Sequence, residues 1–187
     1  MSKASKTDKE KMMTDQELID LCSADKERGF AQLMRAFREP IYWHIRRMVV
    51  SHSDAEDVFQ EVWVNVYRYI GRFEGASSLK TWLYRIATNE ALRFIGKAAA
   101  HRHESESELL LGKLEASEYV DFDNEVLIRL QKAIIGLPDK QRLVFNMRYY
   151  DDLSYEEISA ITGSSVQTLK TNYHYAKEKI KDCILNG

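Results

Sequence analysis

Cysteine is nearly absent from this chain, which has only Cys22 and Cys183 among its 187 residues. Two thiols so far apart do not make the disulfide framework that stabilises small secreted domains. Residues 1–14 are rich in lysine and lack the apolar core of a signal peptide. We therefore expect a cytoplasmic protein.

Long apolar runs and helix-breaking residues are also scarce. No apolar stretch approaches the roughly 20 residues that cross a bilayer, so no direct membrane insertion is expected. With 2 Pro, 8 Gly, 44% hydrophobic and 30% charged residues, the composition is that of a folded chain with few interruptions. The sequence therefore predicts an all-α protein, with room for one domain or two small ones.

The chain also lacks the residue patterns that carry out chemistry. It has no Gly-rich phosphate loop, no nucleophile paired with a base, and no metal-ligand constellation. His101 and His103 have a spacing that can ligate a metal, but no carboxylate or Cys cluster of known spacing completes the site. We expect no enzyme activity, no cofactor, no bound metal and no small-molecule substrate.

Charge is distributed unevenly along the chain, although the net charge is only −2. Residues 1–100 hold 16 Lys and Arg against 14 Asp and Glu, and residues 126–187 hold 9 against 7. Between them, residues 101–125 hold 2 against 8. This stretch predicts an acidic flexible linker, in which Leu109 to Leu111 either docks on a partner or forms a short helix. Because the flanking halves are only mildly basic, unaided DNA binding should be weak.

The most informative segment runs from Leu153 to Lys170 and has the pattern of a helix-turn-helix. Ser154 and Glu157 form a capping box that starts one helix, and Gly163 suits the left-handed position that ends it. Ser164 or Ser165 can cap the second helix. The apolar stripe of that helix is Val166, Leu169, Tyr173, Ala176 and Ile180.

The other face of this second helix is polar and cationic. Its residues are Ser165, Gln167, Thr168, Lys170, Thr171, His174 and Lys177. Such side chains reach base edges and phosphates in the major groove. The alternative is an antiparallel helix pair whose polar face is merely solvated, and capping and glycine placement alone leave that alternative open.

Three helical segments are predicted before the acidic stretch. The first, from Gly29 to Val50, contains Pro40, which predicts a kink or a break. The second begins at Ser53 or Asp54, and the third runs from about Ser78 to Gly96. The third carries a polar stripe at a spacing of four with aromatic neighbours: Thr81, Arg85, Asn89, Arg93 and Lys97, beside Trp82 and Tyr84.

Cations interleaved with aromatic rings can hold a phosphate backbone while stacking an unpaired base. The alternative is that Trp82 and Tyr84 are packing residues of the core, and for either residue alone that interpretation is favoured.

Four motifs, taken in order, resemble those of the extracytoplasmic-function sigma factors. Residues 53–63 are similar to the AED-x-x-Q-E helix of sigma region 2, and residues 81–89 to its W-L-Y-R-I-A-x-N helix. Residues 137–145 look like the L-P-x-x-x-R-x-V-F segment that opens region 4, and the helix-turn-helix then ends that region. Together they cover about residues 16–185.

The resemblance implies an all-α initiation factor with two small helical domains joined by an acidic flexible linker, the C-terminal domain containing the helix-turn-helix. Its expected parts are a flexible tail at 1–15, a region 2 domain at 16–100, the linker at 101–122 and a region 4 domain at 123–187. It implies binding to bacterial RNA polymerase core through the β′ coiled coil and the β flap, to promoter DNA, and to an anti-sigma factor.

The same resemblance assigns residues to each partner. Polymerase core would bind Asp54, Glu56, Asp57, Gln60 and Glu61. The melted −10 element would bind Trp82, Tyr84, Arg85, Asn89, Arg93 and Lys97. The duplex −35 element would be read by Ser165, Gln167, Thr168, Lys170, Thr171, Asn172, His174 and Lys177.

Two departures from the family pattern bear on promoter choice. After the aromatic helix, the family pattern often continues as N-x-x-x-D-x-x-R-R. In this chain, Arg93 and Lys97 are the cations that remain after Asn89. The recognition helix has Asn172, Tyr175 and Lys177 where the family pattern has arginines. Bidentate contacts to guanine or phosphate are thereby lost, so we predict a less G-rich −35 preference and weaker phosphate clamping.

Two other classes of protein fit parts of the chain. A stand-alone helix-turn-helix regulator would bind duplex operator DNA without polymerase, usually as a dimer. An anti-sigma or adaptor protein would bind protein alone. The acidic helix argues against the regulator, which has no need of Asp54, Asp57, Gln60 and Glu61 together.

Overall fold

The computed structural model describes residues 13–103, 105–115 and 125–186, and all regular structure within those ranges is helical. The helices are α1 (Asp15–Ala24), α2 (Lys26–Val49), α3 (His52–Tyr69), α4 (Leu79–Arg102), α5 (Glu106–Glu115), α6 (Glu125–Ile135), α7 (Asp139–Tyr149), α8 (Tyr155–Thr162) and α9 (Val166–Asn186). The all-α prediction is confirmed. The first twelve residues of the predicted tail, and Glu104 and residues 116–124 of the acidic stretch, lie outside the described residues.

Helices α1 to α4 form the N-terminal half around a shared apolar core. Leu33, Ile41 and Ile45 of α2 are fully buried, as are Val62 of α3 and Leu83 of α4. Helix α1 begins with a capping box between Thr14 and Glu17. The carboxylate of its Asp15 accepts the backbone N–H of Leu79 at 2.9 Å, so α1 also caps the first turn of α4.

Helices α1 and α2 approach most closely at Gly29, which is buried. A Cβ at this position would lie 2.5 Å from the backbone N and Cα of Cys22 and 2.7 Å from its sulfur. These distances are too short for a side chain, so the crossing requires glycine.

We predict that Gly29→Ala lowers the free energy of unfolding by about 1–3 kcal/mol, because over-packing a backbone contact forces α1 and α2 apart. Gly112→Ala in α5 is the matched control, since nothing lies within 4 Å of its added Cβ. The control should be neutral or gain a few tenths of a kcal/mol from alanine's helix preference. Urea unfolding followed by circular dichroism measures both, and equal midpoints would contradict the prediction.

The structure differs from the sequence prediction at Pro40 and at several helix bounds, with α2 beginning at Lys26 and not at Gly29. Helix α2 continues through Pro40 without a break. Ala36 and Pro40 are both exposed, so water can satisfy the carbonyl that Pro40 leaves without an N–H partner. Helix α3 begins at His52 with Ser51 as its cap, and α4 extends past Gly96 to Arg102.

The predicted flexible linker is a packed helix where it is described. In α5, Leu109, Leu110 and Leu114 are at most 5% exposed. Leu110 and Leu114 pack with Val50 at the end of α2 and with Ile135 of α6. Of the two alternatives predicted for Leu109 to Leu111, the short helix is present, and the leucine run supplies the apolar surface that docks it despite its acidic neighbours.

Helices α6 to α9 form the C-terminal half. The predicted capping box at the start of α8 is present, since the Ser154 hydroxyl accepts the Glu157 N–H at 3.1 Å and the Glu157 carboxylate accepts the Ser154 N–H at 2.7 Å. Gly163 ends α8 with φ of 73°, the left-handed position predicted for it. The buried stripe of α9 contains Leu169, Ala176 and Ile180.

The two halves pack against each other through α2 and α4 on one side and α7 and α8 on the other. The apolar cluster of the N-terminal half continues into Val144, Met147, Leu153, Ile158 and Ile161. The described structure is thus a closed arrangement of the two halves.

Candidate nucleic-acid and protein interfaces

Helix α3 presents its predicted acidic face to solvent. Glu56, Asp57, Gln60 and Glu61 are all exposed. Asp54 differs from them because it is partly buried and forms an ion pair with Lys113 of α5. Four of the five residues predicted to bind polymerase core are therefore accessible, and the fifth, Asp54, contacts α5.

Val64 extends this face, although the sequence motifs did not predict it as a binding residue. Its side chain is 50% exposed, and it lies one turn after Gln60 and Glu61. An exposed apolar side chain bordered by carboxylates is a common arrangement at protein interfaces. The spacing of three and four from Glu61 and Gln60 could have identified it.

A groove of about 310 Å³ separates α3 from α4. Its charged and polar lining residues are Asp57, Gln60, Glu61, Glu90, Arg93 and Lys97. Glu90 accepts a hydrogen bond from Asn65 at 3.0 Å and forms an ion pair with Arg93. The groove thus brings the predicted polymerase-binding residues beside the last two cations of the predicted −10 surface.

The aromatic residues of α4 are packing residues in this closed arrangement. Trp82 is partly buried, with its ring 5.2 Å from that of Phe73. Tyr84 is 3% exposed, and its ring lies 5.0 Å from the His44 ring. Burial raises the pKa of Tyr84 far above its ordinary value, with a further upward contribution from Asp151.

The polar stripe of α4 is divided by its contact with α8. Thr81 is buried, and Arg85 contacts the C-terminal half by donating to the Ala160 carbonyl. Asn89, Arg93 and Lys97 are exposed. Of the six predicted −10 residues, these last three are open to a ligand in the closed arrangement.

Helix α9 presents the predicted −35 residues outward. Gln167, Thr168, Lys170, Thr171, His174 and Lys177 are exposed, and Asn172 is partly buried. Ser165 caps the helix, because its hydroxyl accepts the Thr168 N–H at 3.2 Å. Leu169 and Ala176 point inward and hold this face outward. This exposure is what a helix-turn-helix requires, and an antiparallel helix pair with a solvated polar face would show the same exposure.

Glu157 links the start of α8 to α4. Burial raises its pKa, but the hydrogen bonds from Ser154 and the charge of Lys80 outweigh burial and hold the pKa below its usual range. The Lys80 ammonium lies 3.6 Å from the Glu157 carboxylate. The carboxylate therefore stays ionised while it caps α8 and pairs with α4.

No group of three or more His, Cys, Asp or Glu in the described residues is arranged to hold a metal ion. His101 lies exposed near the end of α4, and His103 ends that helix in a left-handed conformation with φ of 57°. Over the same residues, no helix is both long enough and apolar enough to span a bilayer.

Comparison with known proteins identifies both halves. Residues 33–101 match Sigma-70 region 2, and residues 127–180 match Sigma-70 region 4. The ECF RNA polymerase sigma factor SigW of Bacillus subtilis is 31% identical over 91% of this chain and 96% of its own. The ECF RNA polymerase sigma-E factor of Escherichia coli is 30% identical over 90% and 93%.

Two solved structures share the fold. CnrH, in complex with the cytosolic domain of CnrY, superposes with a TM-score of 0.66 at 19% identity, over 89% of this chain and 94% of that chain. The sigma factor RpoE of Bartonella quintana, in complex with the anti-sigma factor NepR, gives 0.65 at 21%, over 84% and 97%. From the sequence matches, the chain belongs to the ECF sigma factors, the promoter-directing subunits of bacterial RNA polymerase.

Proposed function

We propose that three surfaces, on α3, α4 and α9, divide the work of initiation. The acidic face of α3 binds the β′ coiled coil, α4 binds the melted −10 element, and the outward face of α9 reads the −35 duplex. The corresponding units are the region 2 domain at 16–100 and the region 4 domain at 123–187, with 101–122 between them and a tail at 1–15. The proposal depends chiefly on the exposure of Glu56, Asp57, Gln60 and Glu61.

A separate apolar groove is our candidate for the β flap. It has a volume of about 640 Å³ and is lined by residues of α6, α7 and α9. Phe145, Tyr149 and Tyr173 form much of its wall, and Tyr149 is 59% exposed. An aromatic groove of this kind suits an apolar helical element of a protein partner.

We also propose that an anti-sigma factor binds this protein. The two structural neighbours are both complexes, one with CnrY and one with the anti-sigma factor NepR. We infer that this chain is held by an inhibitor of that class in the cytoplasm and acts there without catalytic chemistry of its own. Co-purification from cells that yields only polymerase subunits would count against the inhibitor.

Run-off transcription with purified bacterial core polymerase tests the proposed function. The holoenzyme should give promoter-specific transcripts, while core alone gives none. A stand-alone regulator would instead bind duplex operator DNA tightly without polymerase and would give no specific transcript. Promoter selection with the same holoenzyme tests the −35 preference, and recovery of the standard family sequence would contradict a less G-rich site.

A further inference from the structure

A buried polar cluster joins the two halves. Asp151 lies in the turn after α7, and its side chain is 1% exposed. One carboxylate oxygen accepts from His44 Nδ1 of α2 at 2.6 Å, and the other forms an ion pair with Arg47 of the same helix. His44 Nε2 lies 3.0 Å from the Thr88 hydroxyl of α4. The cluster therefore connects Asp151 of the C-terminal half to two helices of the N-terminal half.

The cluster specifies one arrangement of the halves. A buried carboxylate is tolerated only where donors replace its water, and within the described ranges its side-chain donors, His44 and Arg47, come from α2. A sliding movement would leave the carboxylate buried without its donors, whereas full separation would return it to water. The contact should consequently break as a unit and not loosen gradually.

Further contacts between α4 and α8 extend the closure. Arg85 donates to the Ala160 carbonyl, and Lys80 pairs with Glu157 at 3.6 Å. Tyr84 lies among these contacts at 3% exposure. Closure thus covers the start of α4 at Tyr84 and Arg85, two residues of the proposed −10 surface.

The other proposed surfaces stay open in the same arrangement. The carboxylates of α3 and the polar side chains of α9 are exposed. Polymerase core can therefore engage the closed protein at α3, while single-stranded −10 DNA cannot reach Tyr84. The closed arrangement makes one of the DNA contacts conditional on separation of the halves.

We propose that His44, Arg47 and Asp151 form a latch that holds the −10 surface covered until polymerase core has bound. The inference rests on the proposed function for its DNA partner, but the latch itself concerns the distance between the halves. Free protein is closed, core binding precedes opening, and the −10 strand binds last. Loss of the latch raises the fraction of free protein that can bind the −10 strand.

Asp151→Ala is the direct test, with Asp152→Asn as its control, because Asp152 has φ of 49°, a left-handed conformation that asparagine adopts with less strain than alanine. Asp152 is the next residue, is 95% exposed and pairs only at the surface with Arg148 at 3.3 Å. One dye on exposed Cys183 and one on a cysteine introduced at exposed Ala31 report the distance between the halves. We expect Asp151→Ala to lengthen that distance and to raise the affinity of free protein for a single-stranded −10 oligonucleotide about tenfold. Asp152→Asn should match the parent protein in both measurements, and parental values of both for Asp151→Ala would overturn the latch.

A cross-linked variant tests whether the halves must separate, and it does so even if Asp151→Ala fails to fold. Lys80→Cys and Glu157→Cys, in a Cys183→Ser background, are joined by a reducible linker that holds α4 against α8. The cross-linked protein should still bind polymerase core, but its run-off transcription should fall at least about tenfold and recover on reduction. Full transcription by the cross-linked protein would overturn the latch, whereas failure of the reduced protein would instead count against the proposed function.

Discussion

Reversing the charge of the α3 face in Asp57→Lys/Glu61→Lys is expected to weaken binding to polymerase core by more than about 100-fold and to abolish run-off transcription. Both carboxylates are exposed, so their replacement should leave the fold of the N-terminal half intact. The loss arises because two attractive charges become repulsive at a complementary surface. Titration of labelled protein with core polymerase measures the affinity.

The matched control is Asp20→Lys/Glu27→Lys, which makes the same change in net charge at exposed positions of α1 and α2. It should bind core with parental affinity. An equal loss in both double variants would show that net charge, and not the α3 face, governs the association. Comparison at low and high salt adds a second criterion, since the difference between the variants should shrink as salt screens the contact.

Local patterns predicted the parts of this structure that local interactions determine. The capping box of Ser154 and Glu157 involves residues three apart, and Gly163 ends α8 through its own backbone conformation. The bounds of α8 and the outward face of α9 follow from such short-range rules. The inward stripe with Leu169 and Ala176 follows from helical periodicity in the same way.

These short-range rules could not predict contacts between residues that are far apart in the sequence. His44 and Asp151 are 107 residues apart, and nothing in either local sequence pairs them. The Tyr84 ring packs against His44 of α2, so the choice between base stacking and packing could not be made from α4 alone. The order of α5 depends likewise on Val50 and Ile135, which complete an apolar cluster that its acidic composition does not suggest.

The break that was one of the two outcomes predicted at Pro40 is absent for a related reason. A proline removes one backbone donor, and its effect on a helix depends on what replaces that donor. Because the surrounding face of α2 is exposed at Ala36 and Pro40, water can take this role and the helix continues. The sequence identifies the proline but not which side of the helix faces solvent at that point.

Restoring two of the missing arginines in Asn172→Arg/Tyr175→Arg is expected to strengthen promoter binding by the holoenzyme at least about tenfold. Tyr175 is 53% exposed, and Asn172, one turn before it, is partly buried at the edge of the outward face of α9. Each new phosphate contact should also steepen the dependence of log affinity on log salt by roughly 0.9, which gives about 1.8 for both. Promoter affinity measured across a range of potassium chloride concentrations tests this.

A double lysine variant tests the effect of added charge separately from the effect of arginine's paired hydrogen bonds. Asn172→Lys/Tyr175→Lys adds the same charge to α9 but lacks the planar fork that binds guanine or phosphate with two hydrogen bonds. The lysine variant should steepen the salt dependence without changing the selected −35 sequence, whereas the arginine variant should also shift selection toward G-rich sites. Gln16→Arg/Ala31→Arg, at exposed positions of α1 and α2, adds equal charge away from α9 and should change neither property. An arginine variant with unaltered affinity and unaltered selection would mean that Asn172 and Tyr175 lie too far from DNA to determine which promoters are read.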